Sequence, residues 1–93
     1  MRFGTVQGVL GESEKGRWFT VILTIRDDNV VVRDDLVPQA LASEEASWLI
    51  DQLVQETLGN ELAEQGWEVI AVGDEASSSE TQSRIYTVRN LGE

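Results

Sequence analysis

The sequence predicts an α+β fold: an antiparallel sheet of about five strands in the order β-β-β-α-β-β, with one main helix packed on one face. Three observations carry this. Apolar residues alternate at period two in segments before residue 34 and after residue 66. Between them, one stretch repeats its apolar residues at helical spacing. The connections among the first strands are short and rich in Gly, Asp and Asn, which suits hairpins and leaves no room for parallel crossovers.

Phe3 to Leu10 alternates loosely and reads as a weak first strand, in which Gly4 and Gly8 mark a bulge or a close backbone approach. Gly11-Glu12-Ser13-Glu14-Lys15-Gly16 is expected to be a hairpin loop. Arg17 to Arg26 is the clearest strand. Phe19, Val21, Leu23 and Ile25 share one face, while Trp18, Thr20, Ile22 and Thr24 make a mixed opposite face. Asp27-Asp28-Asn29 is a turn by residue type. Val30 to Arg33 then completes a three-stranded meander over 1–33, which Asp34-Asp35 ends, and Pro38 sits in a linker.

A helical region follows over 43–65. Ser43 is the expected N-cap, with Glu44 and Glu45 in the first turn where the helix dipole favours negative charge. Ala46, Leu49, Ile50, Leu53, Val54 and Thr57 form one apolar stripe. Gly59 either ends or bends this helix, and a further turn runs from Asn60 through Gln65 to Gly66. Trp67 to Val72 and Arg84 to Asn90 are the last two strands, a hairpin within 67–91. The 74–83 segment between them has no large apolar residue and is expected to be a mobile loop. All 93 residues make one domain.

The passage Leu62-Ala63-Glu64-Gln65-Gly66-Trp67-Glu68-Val69-Ile70 resembles a recurring feature of small α+β domains of unknown function, in which a helix ends in Gly-Trp-Glu and turns directly into a strand. The resemblance covers the last third of the chain. It implies a helix-to-strand junction with the tryptophan locking the helix end onto the sheet, and it carries no activity.

The chain has 17 acidic and 7 basic residues, a net charge of −10. Five basic and four acidic groups fall in residues 1–33, whereas residues 34–83 hold twelve acidic groups and no Lys or Arg. Such a field repels nucleic-acid phosphate and anionic membrane and attracts basic protein surfaces. The simplest account of it is a solvated face that keeps a small protein soluble. The apolar runs are too short to span a bilayer, the N-terminal residues do not read as a signal peptide, and the expected setting is the cytoplasm.

No Cys and no His are present, which removes thiol chemistry, zinc–thiolate sites and the commonest general base. The doublets Asp27-Asp28 and Asp34-Asp35 lie about 20 Å apart if the intervening strand is extended at roughly 3.3 Å per residue. They therefore read as turn and strand-end residues, with no metal assigned. The glycines form no phosphate-binding loop, so no cofactor and no catalytic residue is assigned. Ser77, Ser78, Ser79, Thr81 and Ser83 could accept phosphate, although a solvated loop explains them as well.

Trp48 is the residue that stands out. On the helical wheel it falls opposite the apolar stripe, beside Glu44, Asp51, Gln52 and Gln55, and an exposed tryptophan so ringed has the character of a protein-binding hot spot. Packing beneath the 34–42 linker or a chain terminus is the structural alternative, and Trp18 and Trp67 read as core or sheet-covering residues. The preferred function is a non-catalytic protein-interaction domain binding a basic surface on a larger partner. The alternatives are an acidic nucleic-acid mimic that blocks a nucleic-acid-binding enzyme, and a small enzyme or ligand-binding domain. A free sheet edge also offers a route to a homodimer.

Overall fold

Alternating β-branched and aromatic residues build five strands that hydrogen-bond into one antiparallel sheet: β1 (Arg2–Ser13), β2 (Gly16–Ile25), β3 (Asp28–Leu36), β4 (Trp67–Ser77) and β5 (Thr81–Asn90). Their spatial order is β3-β2-β1-β5-β4, so the two strands most distant in sequence, β1 and β5, lie side by side with Arg2 opposite Asn90. One main helix, α1 (Ala46–Thr57), covers one face. The computed structural model describes residues 1–78 and 80–92.

The core lies between α1 and the even-numbered side of β1. Val6, Phe19, Val21, Tyr86 and Val88 rise from the three central strands to meet Leu49, Ile50, Leu53 and Val54 of the helix, and all are buried. This is the face that the period-two reading of β2 assigned to Phe19, Val21 and Leu23. Gly8 sits at the crossing point, where a Cβ would stand 2.5 Å from Val54 Cγ2. The missing side chain lets the helix approach the sheet.

Several boundaries differ from the sequence reading, each for a local reason. The first hairpin loop shrinks to Glu14-Lys15, because pairing continues to Ser13 opposite Gly16, which takes the turn conformation at φ 119°. Asp34 and Asp35 extend β3 rather than ending it: Asp34 accepts a hydrogen bond from Thr20 Oγ1 at 3.2 Å, and Asp35 receives one from Arg33 Nε at 3.1 Å. An edge strand tolerates such acids because its outer side is wet.

Ser43 is not the N-cap. Glu45 takes that place in extended conformation, with no side-chain capping bond. The approach is held instead by Arg17, whose Nη1 donates to the Ala42 carbonyl at 3.2 Å and the Glu44 carbonyl at 2.6 Å. Gly59 does not end the helical run: after α1, Leu58–Leu62 widens into a π turn, Ala63–Gln65 follows as a 3₁₀ turn, and Gly66 closes the run in left-handed conformation at φ 94°. Buried Asn90 fixes this junction by donating to the Gln65 carbonyl and accepting from the Gly92 amide, both at 2.8 Å. Trp67 then enters the core beside it, 5% exposed.

The segment expected to be a mobile loop is mostly strand. Glu75 pairs with Arg84, Ala76 with Ser83 and Ser77 with Gln82, and the Ser78 amide donates to the Thr81 carbonyl across the turn. Backbone pairing and the Glu75–Arg84 ion pair at 3.3 Å do not require large apolar side chains. Ser79, one of the residues considered for phosphorylation, lies outside the described residues.

Candidate interaction surface on the outer face of the helix

Burial of Leu49, Ile50, Leu53, Val54 and Thr57 sets the rotation of α1, and everything else about its outer face follows. At 100° per residue, Trp48, Gln52 and Gln55 must point away from the sheet, and all three are exposed. Trp48 retains 45% of its accessible surface. Glu44, which the N-cap at Glu45 leaves outside the helix, is exposed as well, and so are Glu45 and Glu56.

Asp51, grouped with Trp48 by the helical wheel, is committed elsewhere. It lies half-buried on the flank of α1 and accepts a hydrogen bond from the Tyr86 hydroxyl at 3.0 Å. Burial, reinforced by this carboxylate, pushes the phenol up from 10.0 to about 12, against the opposing pull of Arg84. One turn earlier, Ser47 donates to Glu75 Oε2 at 2.8 Å, and Glu75 is itself paired with Arg84. The flank facing β4 and β5 is thus a polar seam that fastens the helix to the sheet. The outer face of the helix keeps Trp48, Gln52 and Gln55, with Glu44 in the segment before it and Asp51 turned to the flank.

The basic side chains are largely used within the molecule. Arg2 lies over the Trp67 ring at 5.5 Å, Arg17 holds the helix approach and pairs with Glu12, Arg84 pairs with Glu75, and Arg89 with Glu68. Arg33 touches Thr57 Oγ1 at 3.2 Å, Asp35 at 3.1 Å and Glu56 at 3.5 Å, and its guanidinium lies over Phe19. Lys15 and Arg26 sit at or beside the two N-terminal turns. The acidic excess therefore stays outward, at both ends of α1 and also at the turns and strand ends of the sheet.

Compared with protein-family models, curated proteins and solved structures, the chain matches none. Among the described residues, no three carboxylates form a group able to hold a metal, and no helix is long and apolar enough to cross a membrane.

Sequence reasoning missed the seam of Ser47, Asp51, Glu75, Arg84 and Tyr86. One signal was present: a tyrosine at a core-facing strand position needs a partner for its hydroxyl. Naming Asp51 as that partner requires knowing which helix flank lies over β5, and the pattern of α1 alone does not contain that.

Proposed function

We propose that this is a non-catalytic acidic interaction domain that binds a basic surface on a larger protein through the outer face of α1. The observation that carries the reading is Trp48, exposed on the helix face that also carries Gln52 and Gln55, with the exposed Glu44 and Glu45 in the segment leading into that helix, while most of the molecule's own basic groups are occupied. A tryptophan offers a large amphipathic contact with few rotamers to lose, and the carboxylates around it steer a cationic partner into register. Truncating such an anchor costs about 2 kcal/mol or more of binding, roughly a thirtyfold loss.

The test is a tagged pull-down from nuclease-treated lysate of the source organism, eluted with rising salt, run beside Trp48→Ala. A partner that resists moderate salt and is lost with Trp48→Ala supports the reading, because apolar anchors are not screened. A nucleic-acid-binding enzyme that leaves at moderate salt and ignores Trp48→Ala replaces it with the nucleic-acid mimic.

A further inference from the structure

The helix covers one face of the sheet, and among the described residues nothing covers the other. That open face carries two cross-strand apolar pairs, Trp18 opposite Leu36 and Ile22 opposite Val31, with Ile85 in the same row as Ile22 beyond Gln7 and Phe3 nearer the far end, interleaved with threonines. Val31 and Ile85 retain 58% and 46% of their surface. Trp18 lies flat over Gly11, where a Cβ would fall inside the indole, so this large ring is spread along the sheet instead of standing off it.

Charge distinguishes the open face from the rest of the molecule. Across the central strands β2, β1 and β5 it carries a single ionised side chain, Arg89, and this is neutralised by Glu68 on β4. Asp34, bonded to Thr20, stands at the β3 margin. In a chain of net charge −10, this is where a second copy can approach without bringing acid against acid. The sheet edges offer less relief, because β3 adds Asp28 and β4 adds Asp74, neither of them ion-paired among the described residues, beside acids already paired with Arg33, Arg84 and Arg89.

We infer that the open face is a self-association surface, on which two copies pack sheet against sheet about a two-fold axis. A five-strand face is about 24 Å wide at roughly 4.8 Å per strand, and about 30 Å long at roughly 3.3 Å per residue. Two such faces would bury on the order of 1,400 Å², within the range of stable, specific interfaces. The product is a four-layer helix–sheet–sheet–helix particle with the sheets about 10 Å apart. Both copies of Trp48 point outward, so the assembly would present the proposed partner surface twice. The inference does not depend on that partner reading.

The test is sedimentation equilibrium of the whole chain across a concentration series. Wild type is expected at twice the 10.3 kDa chain mass, tightening as salt screens the mutual repulsion. Ile85→Glu and Val31→Glu each place a charge on the open face and should weaken the dimer at least about tenfold. Both positions are exposed in the single chain, and circular dichroism checks that each variant is folded. If one fails to fold, the other reads the contact. Trp48→Ala should leave the mass unchanged, which separates this surface from the one on α1. A wild type that stays monomeric throughout, a dimer that loosens with salt, or one indifferent to both glutamates overturns the inference.

Discussion

Tyr86 is the only tyrosine in the chain, which makes a spectroscopic measurement unusually clean. Its hydroxyl is buried against the Asp51 carboxylate, and ionising it would set two negative charges side by side away from water. The ultraviolet titration of the folded protein should therefore have its midpoint near 12, returning to about 10 in denaturant. The consequence for stability has a definite sign. Between pH 10 and about 12 the unfolded chain gives up this proton while the folded one keeps it, so stability is fully present below pH 10 and is lost as pH rises through that window. In Asp51→Asn the amide oxygen can still accept the hydrogen bond but the charge is gone, and the midpoint should move down. A midpoint unchanged in Asp51→Asn would mean that burial alone holds the phenol.

The helix–sheet contact turns on glycine at one position and tolerates it at another. Gly8 lies directly beneath Ile50 and Val54, whereas a Cβ on Gly59 would meet nothing within 4 Å. Gly8→Ala gains about 0.5–1 kcal/mol of strand preference but overpacks the crossing, which costs about 1–3 kcal/mol, so destabilisation should win. Gly59→Ala, in an open helical turn, should stabilise by about 0.5–1 kcal/mol. Urea unfolding of the two variants reads both signs. For Gly4 and Gly8 the sequence left a bulge or a close approach open, whereas the helical stripe and the core face of β2 were legible because each is a repeat along one element. What sequence reading missed depends on a second element. Asp34 and Asp35 stay in β3 because Thr20 and Arg33 receive them, Ser43 loses the cap because Arg17 holds the chain before α1, and residues 74–77 become strand because 82–84 lie opposite. On the outer face, the exposure of Trp48, Gln52 and Gln55 was legible by the same periodicity, whereas the bond from Tyr86 to Asp51 was not, because it depends on a second element.

At the scale of the whole molecule, the net charge of −10 opposes compaction, since folding brings the outward carboxylates of α1 and its flanks closer together. Sodium chloride should raise the thermal midpoint steadily over the range in which the Debye length shrinks from about 30 Å to about 8 Å. A falling midpoint would mean that the internal ion pairs of Arg33, Arg84 and Arg89 outweigh the repulsion. The strand order bears on a different property, the timing of assembly. Because β5 inserts between β1 and β4, the middle of the sheet is finished by residues 81–90, and a chain emerging from the ribosome carries its meander with one flank open until those residues arrive. Val6, Phe19 and Val21 can be partly covered by α1 before then, but Tyr86 and Val88 are still missing from the core. The core should consequently close only once β5 has been released, and a chain stopped before Thr81 should be recovered in aggregates.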